Sequence, residues 1–101
     1  MNNLEQQFHD EMIFTYKEAK KLGYRPNLFL KMLNKYGAIN TAKKLLATED
    51  FVQKGIIRLW ELGGLSLSME ASVVKPKYRE LFTEHEIRVA NKRLKDLGYK
   101  K

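Results

Sequence analysis

Apolar residues recur at helical spacing along the whole chain, and glycine or proline interrupts the pattern at intervals. Near the amino terminus the apolar positions follow one another at three or four residues: Leu4, Phe8, Met12, Tyr16 and Ala19. This spacing places them on one face of a helix. No run of alternating polar and apolar residues is long enough for a strand. The pattern predicts an all-α fold, a compact bundle of about five main helices plus one or two short ones.

Glycine, proline and capping residues predict where these helices begin and end. Gly23 and Gly37 suit the position just after a helix, and Pro26 suits a first turn. Thr83 followed by Glu86 is a capping box that opens the last helix. The other predicted segments are a third helix over about 40–46, a fourth from Thr48 to Gly63-Gly64, a short helix from Ser66 or Ser68 through Val74, and a single helix from Pro76 that carries Tyr78, Leu81 and Phe82.

The same spacing predicts the core of a single domain that spans residues 1–101, a length that fits one domain. The side chains expected to be largely buried are Leu22, Phe29, Leu33, Leu45, Leu46, Ile56, Leu59, Leu81, Ile87, Leu94 and Leu97. Trp60, the single tryptophan, lies in an apolar segment and is interpreted as a core residue or a partner-facing one. The core is therefore predicted to draw on every main helix.

Charge is distributed unevenly along the chain, which carries a net charge of +7. Residues 23–47 hold five bases and no acid, and residues 71–101 hold nine bases against four acids. Residues 48–70 between them hold four acids, Glu49, Asp50, Glu61 and Glu70, against two bases. Two basic blocks around an acidic segment are typical of a protein that binds a polyanion.

No group of residues predicts a reaction centre. The chain has no cysteine, and its two histidines, His9 and His85, share no ligand spacing with each other. Nucleophile, paired-carboxylate, phosphate-loop and zinc motifs are missing from the sequence. We therefore expect no enzyme activity, no cofactor and no metal. The longest apolar runs are three residues, and the amino terminus does not resemble a signal peptide, so we expect a cytoplasmic protein that makes no membrane contact.

The basic side chains are the best functional candidates in the sequence. Lys31 and Lys35 are one turn apart on the second helix, and Arg88, Lys92 and Lys95 form a stripe on the last. The candidates for phosphate contact are Lys31, Lys35, Lys43, Lys44, Arg88, Lys92, Arg93 and Lys95. A charged stripe is also the ordinary solvated face of an amphipathic helix. The acid-free block at 23–47 is harder to explain by solubility alone.

Two other interpretations of these segments stay open. The third and fourth helices are about the right length for a helix-turn-helix, but Glu49, Asp50 and Glu61 would bring acids towards the phosphates. Tyrosines beside basic residues could stack on unpaired bases, although a tyrosine that covers a core with its hydroxyl in water is the simpler explanation. These tyrosines are Tyr24, Tyr36, Tyr78 and Tyr99.

Short stretches spread over roughly residues 14–99 carry a family resemblance. They are Gly23-Tyr24-Arg25-Pro26, Phe29-Leu30-Lys31-Met32-Leu33, Gly37-Ala38, Thr41-Ala42-Lys43-Lys44-Leu45-Leu46, Leu59-Trp60-Glu61-Leu62, Leu67-Ser68-Met69-Glu70 and Leu81-Phe82-Thr83, with Ala90, Arg93 and Leu94. Together they resemble a poorly characterised small helical domain of bacteria and phages, which stands alone or is appended to nuclease-like proteins. The resemblance implies a context for the chain and assigns no activity and no binding residue.

Two hypotheses of function follow from the sequence. In the first, the protein is a small basic nucleic-acid-binding or nuclease-accessory module that contacts phosphates without catalysis. In the second, it is a protein-protein interaction module, or a phage or host regulator, that docks on an acidic partner or associates with itself. The first requires the two basic blocks to form one surface, which the second, third and last helices could do if they lie side by side.

Overall fold

Six α-helices and two 3-10 helices form the regular structure of the computed structural model, which describes residues 3–48 and 50–99, without the side chains of residues 50–54. The α-helices are α1 (Asn3–Lys21), α2 (Asn27–Tyr36), α3 (Ala38–Leu46), α4 (Asp50–Glu61), α5 (Met69–Val73) and α6 (Glu84–Asp96). The 3-10 helices are Leu65–Leu67 and Pro76–Leu81. No strand occurs in the described residues, which confirms the predicted all-α bundle.

Two predicted helix boundaries depend on local backbone geometry and are confirmed. Gly37 has a φ of 83° and donates its N–H to the carbonyl of Leu33 at 3.0 Å, so that α2 ends and α3 begins around one residue. A side chain there would meet the strain of the left-handed region. At the start of α6, Thr83 and Glu86 exchange the two hydrogen bonds of a capping box, at 2.8 and 3.1 Å.

Three segments differ from the prediction. The third helix starts at Ala38, two residues before the expected Asn40, because it follows Gly37 directly. Thr48, expected to cap the fourth helix, donates its hydroxyl to the carbonyl of Lys44 at 2.6 Å and so lies at the end of α3. The segment from Pro76 is a 3-10 helix that stops at Leu81. Phe82 follows it in an extended conformation, with its side chain buried in the core.

The centre of the core is α5, a helix of five residues that are all buried. It packs against α1, α6 and both 3-10 helices. Beside it, the buried ring of Phe8 on α1 meets the edges of Tyr78 and Phe82 at centroid distances of 5.1 and 5.2 Å. Edge-to-face contacts of this kind add to the stabilisation that burial of the rings provides. The core therefore forms where α1 crosses the carboxyl-terminal third of the chain.

Most predicted core residues lie in this interior. Leu33, Leu45, Leu46, Ile56, Leu59 and Leu94 are buried, and Phe29, Leu81, Ile87 and Leu97 are half-buried. The prediction for Leu22 is wrong: it follows the end of α1, and 41% of its surface is exposed while it covers the backbone of Gly64. Trp60 is also exposed, so it is not a core residue. Among the described helices, none is long and apolar enough to cross a membrane.

Glu11 connects α1 to the second 3-10 helix. Its carboxylate accepts a hydrogen bond from the hydroxyl of Tyr78 at 2.9 Å and forms an ion pair with Lys75 at 2.8 Å. Burial raises the pKa of Glu11, but the ion pair with Lys75 and the hydrogen bond from Tyr78 outweigh burial and hold that pKa below its ordinary value. Burial and the neighbouring Glu11 carboxylate raise the pKa of Tyr78, which keeps its hydroxyl protonated as a donor.

This connection predicts that acid weakens the fold partly through Glu11. The pKa of Glu11 is lower in the folded state than its ordinary value of 4.5. The group therefore contributes stability above that pH, and the contribution is lost as the pH falls through the folded-state pKa. Urea unfolding between pH 7 and pH 3 should show a shallower loss of stability in Glu11→Gln than in the wild type. Tyr78→Phe, which removes one donor, should flatten the curve in part, and an unchanged slope in both variants would contradict the assignment.

Candidate nucleic-acid interface

Helix α3 lies between the two helices that carry most of the other predicted basic residues. It packs against α2 on one side and α6 on the other. Successive residues of a helix are about 100° apart, so Lys43 and Lys44 reach different neighbours of α3. The Nζ of Lys43 lies 2.8 Å from Glu86 of α6, whereas the Nζ of Lys44 lies 4.6 Å from the ring centre of Tyr36 at the end of α2. The two basic blocks are thus neighbours.

Tyr36 is the centre of a basic surface on α2 and α3. Its ring is 36% exposed, and the Nζ atoms of Lys35 and Lys44 lie 5.3 and 4.6 Å from the ring centre. Lys31 lies one turn before Lys35 on the same helix and is exposed. None of these three lysines forms an ion pair with an acid of the described residues. Lys31, Lys35, Tyr36 and Lys44 are called the basic-aromatic patch below.

Lys43 is held in the seam between α3 and α6 and is partly neutralised there. Its ammonium donates to the Glu86 carboxylate, and it also lies 5.4 Å from the ring centre of Phe82. Burial raises the pKa of Glu86, but the bonds from Lys43 and Thr83 outweigh it and lower that pKa, which keeps the carboxylate charged. Lys43 therefore joins two helices and offers less charge to a ligand than the sequence predicted.

The basic stripe on α6 faces solvent as predicted. Arg88, Lys92 and Lys95 are exposed and fall within one sector of the helix. Arg88 lies 3.9 Å from Glu84, and Lys92 pairs with Asp96 at 3.1 Å, both one turn away. Lys95 forms no ion pair within the described part of the chain. Exposed pairs of this type contribute little to stability, and they reduce the charge that the stripe presents.

Arg93 is not a surface cation, so its place among the candidate phosphate contacts is wrong. Its side chain is 8% exposed and pairs with the Glu70 carboxylate at 3.1 Å. It also donates to the carbonyls at the end of α3: to Leu45 at 3.3 Å, to Leu46 at 3.5 Å and to Thr48 at 2.7 Å. Helix ends leave carbonyls without partners inside the helix. The guanidinium, with donors that fan out in one plane, satisfies these carbonyls and the carboxylate together.

Because it pairs with Arg93 in the interior, Glu70 does not contribute to an exposed acidic surface over residues 48–70. Glu70 is 2% exposed, and burial raises its pKa while the bond from Arg93 acts in the opposite direction. Glu61 pairs with Arg58 at 3.6 Å, and Glu49 and the side chain of Asp50 lie outside the described residues. The acids of residues 48–70 therefore do not form one exposed surface in the part of the chain described.

Two features of the sequence could have revealed this buried pair. Glu70 is the single charged residue in the stretch 65–74, which otherwise consists of apolar residues and serines. A lone acid in such a stretch suggests a buried charge that needs a partner. No glycine follows α3, so its last carbonyls need donors from elsewhere in the chain.

The four tyrosines that could stack on bases differ in how far their side chains are exposed. Tyr78 is buried, which excludes it, and Tyr24 and Tyr99 are half-buried. Tyr36 is the most accessible of the four and lies between two lysines.

Lys75 and Arg79, which the sequence did not single out, join the candidate Arg88 around a shallow cleft of about 360 Å³ between the second 3-10 helix and α6. Its polar lining consists of Lys75, Arg79, Glu84, Arg88 and Asn91. Glu84 approaches Arg88, and Lys75 is paired with Glu11. The cleft is therefore less strongly cationic than its composition suggests.

Comparison with protein-family models, with curated proteins and with solved structures gave no match for this chain. The resemblance to a helical domain of bacteria and phages stays a prediction.

Proposed function

We propose that this protein is a small nucleic-acid-binding module that contacts phosphates through the basic-aromatic patch and performs no catalysis. One observation carries the proposal: two lysines flank an exposed tyrosine ring, on a surface built from a stretch without acids. Cations that are already paired inside the protein lose that pairing when they bind a phosphate. Lys31, Lys35 and Lys44 have no such pair to lose among the described residues.

Lys95 and the paired Arg88 and Lys92 of α6 extend this surface as weaker contacts. α6 packs against α3, which puts the stripe and the patch on adjoining helices. A helix-turn-helix would instead present α4, whose described outer side carries Ile57, Trp60 and the paired Arg58 and Glu61. That mixture suits phosphate contact less well than the patch does.

Salt dependence tests the proposal. If three or four phosphates are neutralised, log affinity for duplex DNA should fall against log salt with a slope of about −3 to −4. Lys35→Gln with Lys44→Gln should reduce the slope by about 2, one unit for each lysine. Fluorescence anisotropy with labelled duplex, single-stranded DNA and RNA at 50–300 mM salt would measure these values.

Lys20→Gln with Lys21→Gln is the matched control, because it also removes two exposed cations, of which Lys21 pairs with Glu18 on α1 at 2.7 Å. The control should leave affinity and slope near the wild-type values. A flat salt response of the wild type, or no binding to any probe at 50 mM salt, would refute nucleic-acid binding. Equal losses in the patch variant and in the control would refute the patch as its site.

A second candidate function is a protein-protein interaction module that docks on an acidic partner or associates with itself. The observation that favours it is an exposed apolar pair on α4, Ile57 and Trp60, which a nucleic-acid contact does not require. Self-association through this pair should move the emission of the single tryptophan to shorter wavelength as concentration rises. Sedimentation velocity that shows a monomer throughout, with constant emission, would leave the nucleic-acid proposal as the stronger one.

A further inference from the structure

A cavity of about 120 Å³, half open to solvent, lies between α1, α2, α4 and α5. Most of its wall is apolar and comes from Ala19, Phe29, Met32, Ile56, Leu59 and Leu67. None of the basic-aromatic patch residues lines it, although α2 contributes to both. Its volume is close to that of apolar cavities of about 150 Å³ that accept ring-sized molecules such as benzene.

Two polar side chains of different character also reach this wall: Tyr24 and Glu70. The hydroxyl of Tyr24 forms no hydrogen bond with the described residues. It lies so close to the backbone of Gly55 that a Cβ at that position would be 2.9 Å from it. Glycine at 55 therefore leaves the room that this hydroxyl occupies.

Glu70 gives the cavity its electrostatic preference. Its Oε2 accepts from Arg93, so the ion pair is already complete without a ligand. Burial and the negative charge of Glu70 raise the pKa of Tyr24, so that the phenol stays neutral and can donate. An anionic ligand would be repelled by Glu70, and a cation would lose its hydration in an apolar space without gaining a free counter-ion. A neutral ligand fits both conditions.

We propose that this cavity is a binding site for a neutral, ring-sized apolar molecule that carries one hydroxyl group, as phenol does. The ring would lie against the apolar wall, and its hydroxyl would accept from Tyr24 and donate to Glu70. A hydroxyl is the smallest neutral group that can do both. The site is independent of the proposed nucleic-acid contact, since the two have no residue in common. With so few ligand atoms, we expect dissociation constants on the order of 0.1–1 mM.

Binding of phenol and of benzene to the full chain tests the proposal. Isothermal titration should give an affinity for phenol about tenfold higher than for benzene, since phenol forms two hydrogen bonds that benzene lacks, each worth about threefold. The methyl NMR signals of Met32 and Met69, which line the cavity, should shift through the ring current of the bound molecule. Tyr24→Phe keeps the aromatic ring and removes its hydroxyl. It should reduce the preference for phenol to about threefold, the share of the remaining bond to Glu70, while benzene still binds.

Filling the cavity provides the second test. Ala19→Leu adds apolar volume from α1 and should abolish binding of both molecules. If that variant does not fold, Leu67→Phe fills the space from the rim with the same expected result. The proposal is overturned if neither phenol nor benzene shows saturable binding up to about 10 mM, well above the expected constants. It is also overturned if Tyr24→Phe leaves the preference for phenol unchanged, or if a folded filling variant binds as the wild type does.

Discussion

Replacement of Arg93 by alanine is expected to lower the free energy of unfolding by about 3–5 kcal/mol. The change leaves the Glu70 carboxylate buried without its cation, and it removes the donors for three carbonyls at the end of α3. A buried charge without a partner is among the most destabilising consequences of a single substitution. Since small domains are stabilised by only about 5–15 kcal/mol, the variant should be close to unfolding at room temperature.

Urea denaturation at pH 7 measures the effect of Arg93→Ala, with Lys95→Ala as the matched control. Lys95 is an exposed cation two residues further along the same helix, and its loss should change stability by no more than about 0.5 kcal/mol. Adding Glu70→Leu to Arg93→Ala should recover part of the loss, because no charge is then left buried. Equal effects of Arg93→Ala and Lys95→Ala would contradict the buried pair.

The loss of stability in Arg93→Ala should depend on pH, whereas the loss from a simple packing defect should not. Burial raises the pKa of Glu70, and without Arg93 only a backbone hydrogen bond to the carboxylate opposes that effect. A carboxyl group whose folded-state pKa lies above its unfolded value destabilises the fold most at high pH, and less as the pH falls through the folded-state pKa. The difference in stability between the variant and the wild type should therefore shrink in mild acid.

The second large effect is expected for Phe8→Ala, which should cost about 3–5 kcal/mol. Phe8 is 0% exposed and touches both Tyr78 and Phe82, so truncation leaves a cavity at the centre of the core. Phe14→Ala is a control in the same helix, because Phe14 is 59% exposed. Thermal and urea unfolding should separate the two variants by at least about 2 kcal/mol. Similar losses would mean that the face of α1 is assigned incorrectly.

Helix type and most boundaries could be predicted from the sequence because their signals are local. The capping box at Thr83 and the glycine after α2 act within a few residues, so no knowledge of tertiary structure is needed to find them. The second 3-10 helix was predicted as an ordinary helix. Its geometry depends on where Tyr78 and Phe82 must reach in the core, and the local sequence does not contain that information.

The candidate site was predictable at the level of helices and less so at the level of single side chains. The acid-free block points to the surface of α2 and α3, where Tyr36 is exposed beside Lys35 and Lys44. Arg93 has the same charge as its neighbour Lys92, yet it lies 100° away around α6 and faces the end of α3. Which sector of a helix meets a neighbour is decided by packing, so composition alone could not distinguish the two.

The shortness of α5 has a consequence for how the protein folds and opens. A helix of five residues does not persist in water by itself, because the cost of its first turn is not repaid over so short a length. It can form only once α1 and α6 enclose it, and its contacts with α1 join parts of the chain that are far apart. The bond from Tyr78 of the following 3-10 helix to Glu11 of α1 spans a similar interval, 67 residues. The backbone amides of Ala71 to Val73 should therefore exchange with deuterium only when the whole molecule unfolds, while amides of the outer helices exchange through local opening.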